Sequence, residues 1–207
     1  MRTNQALGRL RRGEVVTCFW MNLGSPLLAE MAARWNAFDS ILLDAQHGYW
    51  TEETLLTALQ VIGPTETVPL VRVARNDPAL IGRALDAGAL GVMVPLVNSV
   101  EEAKQAVSAM RYPPAGSRSA GGTRLFYYGE DYYGAANSEI LCMVMIETVE
   151  AVSRAVEILS VPGVDMGFIG PGDLAISLGC YPQRGSVHEA AVMKVLEAGN
   201  KAGKPVG

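Results

Sequence analysis

The order of elements predicts an α/β fold built on a parallel sheet, a (β/α)8 barrel, and three observations carry that prediction. Short continuous apolar runs rich in Val, Ile and Leu alternate with amphipathic stretches, the pattern of a parallel sheet buried on both faces. The runs recur roughly every 25–30 residues, the spacing of repeated βα units in a barrel. No G-x-G-x-x-G opens any helix, so the dinucleotide cradle that marks the rival doubly wound sheet is missing.

A basic first segment with Arg2, Arg9, Arg11 and Arg12 reads as a solvated helix, since no apolar core follows to make it a signal peptide. Strands are expected at Val15–Phe19, Ser40–Leu43, Pro69–Val73, Gly91–Pro95, Leu141–Ile146 and Met166–Ile169, with another opening at Pro205–Val206. Helices are expected at Pro26–Arg34, Glu52–Val61, Pro78–Ala87, Val100–Met110, Thr148–Ser160 and Val187–Ala202. The stretch from Arg111 to Glu139 is the one irregular connection, rich in Gly, Pro, Arg and Tyr. Its length points equally to a functional loop or an oligomer contact.

The 207 residues suit a single domain, 1–207, with room for about six complete βα units. Six units cannot close a barrel, so the expectation is a barrel truncated after the sixth unit, or one whose missing wall a partner supplies. Composition excludes other classes. The chain is 49% hydrophobic and 18% charged with a net charge of −4, which argues against disorder and leaves no basic footprint for nucleic acid. No apolar run reaches the ~20 residues of a membrane span. Three widely spaced cysteines, Cys18, Cys142 and Cys180, form no disulfide framework, so a reducing cytoplasm is expected.

In such a barrel, chemistry gathers at the C-terminal ends of the strands. Asp44, Gln46 and His47 follow the second strand, Arg72 ends the third, Glu147 follows the fifth and Asp173 the sixth. Glu147 and Asp173 lie 26 residues apart, one βα unit, so neighbouring strand ends bring two carboxylates toward one hard cation, Mg²⁺ or Mn²⁺. Each carboxylate alone has a structural alternative, Asp173 as a helix cap and Glu147 as a complement to a helix N-terminus. His47 is the one histidine expected on this rim, with Asp44 placed to orient its ring; the alternative is a structural hydrogen bond. His188 falls in a helix, far from any strand end. Arg72 suits a substrate carboxylate or an enolate oxygen, or an internal ion pair. A Schiff-base mechanism needs a lysine near the substrate, yet none of Lys104, Lys194, Lys201 and Lys204 follows a strand. No nucleophile elbow is present either.

With these segments in view, the sequence resembles the HpcH/HpaI aldolase family, metal-dependent class II pyruvate aldolases that include 2-keto-3-deoxy sugar-acid and dihydroxyheptenedioate aldolases. The likeness rests on FDSILLDAQHG (Phe38–Gly48), VPLVRVARNDPALIGRALDAGALGVMVPLV (Val68–Val97), RYPPAGSRS (Arg111–Ser119), MIET (Met145–Thr148) and GVDMGFIGPGDLAISLG (Gly163–Gly179). It implies a TIM barrel of the phosphoenolpyruvate/pyruvate type in a hexamer that swaps its eighth helix, with the last strands and that helix absent from this chain. It implies Glu147 and Asp173 as ligands of Mg²⁺ or Mn²⁺, with Co²⁺ as a third candidate. Arg72 is then the contact to pyruvate and its enolate, and His47 the acid/base residue with carboxylate support. Asp44 and Asp86 match the acidic positions near it, Asp86 acting across a subunit boundary, and the Gly172 backbone faces the keto acid. Two positions depart from the pattern: Gln46 stands where many members carry Glu, and Met145 where some carry Gln.

The function expected is reversible cleavage of a 4-hydroxy-2-oxo acid to pyruvate and an aldehyde, in a cytoplasmic homo-oligomer with no nucleic-acid or membrane partner. A malyl- or citramalyl-type CoA-ester lyase is the nearest rival, with Arg118 and Arg124 as its basic patch; Arg118 is thereby a candidate substrate-binding residue. A non-catalytic barrel subunit is the rival from another class.

Overall fold

A computed structural model of the chain describes all of residues 1–207. The elements run α1 (Gln5–Arg11), β1 (Cys18–Met21), α2 (Pro26–Trp35), β2 (Ser40–Asp44), α3 (Glu52–Ile62), β3 (Val68–Arg72), α4 (Pro78–Asp86), β4 (Gly91–Val94) and α5 (Val100–Met110). A 3₁₀ turn (Thr123–Tyr128) follows, then α6 (Tyr132–Glu139), β5 (Leu141–Ile146), α7 (Val149–Ser153), α8 (Ala155–Leu159), β6 (Met166–Ile169), α9 (Pro171–Ser177) and α10 (Gly185–Ala202). Six strands pair in sequence order, every pair parallel. Strands β2 to β5 are buried along their whole length, as continuous apolar runs demand.

The sheet is a curled half-barrel, not a closed one. Trp20 on edge strand β1 meets Phe168 on edge strand β6, ring centroids 5.3 Å apart, although the two strands share no ladder. Only a sheet rolled toward a barrel brings its opposite edges that close. The expected strand at Pro205–Val206 is a short parallel bridge from Val206 to Gly167, with the Ile169 amide donating to the Gly207 carbonyl at 2.8 Å.

Three elements differ from expectation. β1 starts at Cys18, not Val15: Val15 is exposed, and Thr17 is held by Asp39 through its amide (2.7 Å) and hydroxyl (2.8 Å), so pairing begins only at Cys18 with Ser40. The expected helix Thr148–Ser160 is two short helices, because Arg154 leaves helical geometry at φ −116°, ψ 14°. The connection after α5 is less irregular than expected, since it holds the 3₁₀ turn and α6.

That connection also settles which end of the half-barrel it covers. Each helix runs back antiparallel to its strand, so helix C-termini lie at the strand N-terminal end. Arg124 donates to Leu59 and Ala87 carbonyls (both 3.0 Å) and Tyr128 to the Gly88 carbonyl (2.6 Å), all just past or at the ends of α3 and α4. The segment therefore seals the end opposite the rim where strands give way to loops.

Candidate active site

Asp44 and Arg72 are register partners at the ends of β2 and β3. Arg72 donates from Nε to Oδ1 at 2.8 Å and from Nη2 to Oδ2 at 2.5 Å. The indole of Trp20 (3.2 Å), the amide of Asn22 (3.1 Å) and the backbone N–H groups of Gln46 and His47 (both 3.1 Å) complete the shell of this buried carboxylate. Burial pushes the Asp44 carboxyl up, but the bonds from Arg72, His47 and Trp20 together outweigh it and hold the group below the usual carboxylate range. The internal ion pair expected as an alternative for Arg72 thus exists. It does not exhaust the guanidinium: Nη1 faces only the Met145 sulfur at 3.9 Å, a weak acceptor, while the guanidinium carbon sits 4.8 Å over the Trp20 ring. One strong donor remains for an anion.

Glu147 is 1% exposed. Its Oε1 accepts the Leu96 N–H at 2.8 Å, whereas Oε2 is buried with no partner and lies against Gly170, where any Cβ would collide with it. Burial raises its proton affinity; the Leu96 amide opposes this, the Asp173 charge adds to it, and Arg72 and His47 pull the other way. Glu147, Asp173, Arg72 and His47 therefore share one electrostatic neighbourhood. Asp173 stands exposed in the first turn of α9, and Gly170 at the start of that helix brings no side-chain cap, so the capping role does not account for it.

A buried carboxylate oxygen without a donor is a costly arrangement unless something positive meets it. A divalent cation would supply that positive partner, and Glu147 and Asp173 are the carboxylates that would hold it. No three His, Cys, Asp or Glu side chains converge as a metal cluster, so two carboxylates would hold the ion and other oxygens would fill its shell. A side chain at Gly172 would meet nothing within 4 Å, so the strand-end loop is open there.

Several expectations need correction. Asp44 does not orient the His47 ring: its oxygens are taken by Arg72 and its neighbours, and His47 meets it only through the backbone amide. The His47 side chain is exposed at the rim. Asp86, expected to act across a subunit boundary, lies away from the rim of its own chain. It ends α4 on the opposite side and accepts from Arg118 Nη2 at 2.8 Å. Arg118 is not available to substrate either; it is buried between Tyr112 (4.6 Å) and Tyr132 (5.7 Å) and bonds the Tyr132 hydroxyl. With Arg124 spent on backbone carbonyls, neither arginine offered as the basic patch of a CoA-ester lyase is free at the rim. His188, expected far from any strand end, packs its Nε2 3.1 Å from the Pro171 carbonyl, right after β6.

Sequence reasoning missed Trp20, Asn22, Leu96, Asn98 and Gly170. Asking which polar residue follows β1 would have found Asn22. Leu96 contributes only its backbone, and no residue type announces that. At the departing positions, Met145 faces Arg72 through sulfur, and Gln46 keeps a buried Oε1 without a partner.

Comparison with known proteins decides the family. The sequence profile of the HpcH/HpaI aldolase/citrate lyase family matches residues 17–206. This chain belongs to that family. It is 39% identical to a hydroxypyruvate/pyruvate aldolase of Delftia acidovorans, over 96% of this chain and 75% of that protein. It is 35% identical to a 2-keto-3-deoxy-L-rhamnonate aldolase of Escherichia coli, over 97% and 78%. Among solved structures, a family member from Burkholderia cenocepacia superposes with a TM-score of 0.93 at 35% identity, covering 99% of this chain and 84% of the other. The resemblance read from the motifs is correct, and the relatives support a class II pyruvate aldolase, a carbon–carbon lyase. No helix is long and apolar enough to cross a membrane.

Proposed function

We propose that this aldolase cleaves a 4-hydroxy-2-oxo acid to pyruvate and an aldehyde at the rim formed by Arg72, His47, Glu147 and Asp173. The observation that carries the reading is the buried Glu147 Oε2 that no donor meets, on a carboxylate that feels the charges of Asp173, Arg72 and His47. Glu147 and Asp173 would hold Mg²⁺, Mn²⁺ or Co²⁺. When bound, the ion supplies Lewis acidity to the keto and carboxylate oxygens of the 2-oxo acid.

The protein's own groups account for the remaining steps. His47, exposed and anchored by its backbone, removes the proton of the 4-hydroxyl. The freed electron pair becomes the aldehyde C=O, the C3–C4 bond breaks, and its pair becomes the pyruvate enolate. Charge grows on the enolate oxygen, where Arg72 Nη1 donates; Asp44 holds the guanidinium in place so that little reorganisation is needed. The proton taken up by His47 is returned to C3, which turns the enolate into pyruvate and restores the base. Gly172 leaves room beside the substrate.

Homo-oligomerisation, hexameric by resemblance, belongs to this proposal. α2 leaves Leu27, Met31 and Trp35 exposed at 66%, 43% and 70%, one apolar stripe at helical spacing that a second copy would cover. Asp86 would reach a site only from such a neighbour. Three cysteines free of disulfides fit a reducing cytoplasm.

The test is pyruvate release from 4-hydroxy-2-oxo acids with added Mg²⁺, Mn²⁺ or Co²⁺, against exhaustive chelation. Loss of turnover on chelation and its return with metal is expected. Undiminished turnover after complete metal removal contradicts the reading.

A further inference from the structure

Leu96 has a backbone that its side chain disfavours. Its φ is 54°, in the left-handed region, where branched apolar residues are outliers. The other two non-glycine residues with positive φ, Asn36 and Arg184, sit at helix boundaries, the end of α2 and the start of α10. Leu96 caps nothing. It lies in the turn between β4 and α5, and its N–H is the single hydrogen bond on Glu147.

The turn is locked by one side chain. Asn98 Nδ2 donates to the Leu96 carbonyl at 3.1 Å, and Asn98 Oδ1 accepts the Thr148 hydroxyl. Thr148 adjoins Glu147 and accepts the Ala151 N–H as the cap of α7. The Asn98 backbone N–H also donates to Glu102 Oε2 at 2.6 Å, the carboxylate of the capping box that starts α5. Two links, Leu96 to Glu147 and Asn98 to Thr148, therefore brace the loop after β4 against the loop after β5. Strain of this kind persists where surrounding contacts over-determine it, and it concentrates at functional sites.

We infer that Leu96 and Asn98 are positioning residues for the cation site: Asn98 holds Leu96 left-handed, so that its N–H takes Glu147 Oε1 and leaves Oε2 without a protein donor, as the ligand. The inference rests on the reading of Glu147 as a cation ligand. Partners that orient a ligand's second atom are typically worth 10–100-fold in metal affinity.

The experiment titrates the full 207-residue chain with Mn²⁺ alone, by calorimetry, for wild type, L96G, L96I, N98A, L96G/N98A and E147Q. Glycine and isoleucine both keep the N–H but tolerate a left-handed backbone oppositely. L96G should bind within about twofold of wild type, whereas L96I and N98A should bind about tenfold more weakly. The double variant should recover toward wild type, because glycine no longer needs the lock. Should N98A fail to fold, the L96G and L96I pair decides alone. If Leu96 acts only as an apolar side chain, L96I binds normally and L96G weakens, which overturns the inference. E147Q separates the two levels. Binding lost in E147Q with a flat Leu96 and Asn98 series refutes the positioning role alone; normal binding in E147Q refutes the cation reading and this inference with it.

Discussion

Asp44 and Arg72 face each other across β2 and β3 in a two-pronged pair, with side chains 0% and 8% exposed. Removing one partner strands the other charge in a buried setting, so D44A should lose about 3–5 kcal/mol in urea unfolding. R72K keeps the charge but cannot form the fork or present Nη1, and its kcat should fall about 10²–10³-fold. Wild-type kcat in R72K would show that Arg72 serves the fold alone.

The same pair sets a pH dependence. The Asp44 carboxyl is held below its ordinary value in the folded chain, so its contribution is complete above an unfolded pKa of about 3.9 and is lost as pH falls through the lowered folded value. The stability gap between wild type and D44N should therefore be constant near neutrality and shrink only in acid. Denaturant titrations at stepped pH check this; a gap that shrinks instead between pH 6 and 8 points to another group.

His47 makes its recorded bond through the backbone, and its side chain is exposed. H47N should leave the melting temperature unchanged and lower kcat about 10²–10⁴-fold, the span of general acid–base catalysis. A variant that melts early with normal kcat would reverse the assignment.

Arg118 predicts the opposite phenotype. Buried between Tyr112 and Tyr132 and bonded to Asp86, it is a structural cation at the far end of the half-barrel. R118A should cost about 3–5 kcal/mol of stability while the KM of the folded fraction stays as in wild type. A raised KM with unchanged stability would return Arg118 to the substrate.

How much of this was legible beforehand follows from which physical signals are local. β5 and β6 fall at the expected residues, because unbroken apolar runs bounded by polar turns mark buried parallel strands. β1 does not, since Val15 and Val16 have strand propensity but no partner until Ser40 comes alongside Cys18. Asp44, Arg72, Glu147 and Asp173 could be placed at strand ends from sequence because each closes or follows an apolar run. Arg118 was misplaced because motif likeness says nothing about which end of a barrel a loop residue packs against. The partnership of Asp44 was misjudged for a related reason: His47 is nearer in sequence, yet parallel register brings Arg72 opposite it. Leu96 and Gly170 act through backbone position, which side-chain chemistry does not reveal.

Anomalous diffraction from crystals soaked in Mn²⁺ and pyruvate bears most directly on the whole account. One Mn²⁺ peak should stand about 2.0–2.3 Å from both Glu147 Oε2 and an Asp173 oxygen, with pyruvate beside it and a carboxylate or keto oxygen on Arg72 Nη1. Ordered pyruvate at Arg72 with no metal peak shared by the two carboxylates would contradict it.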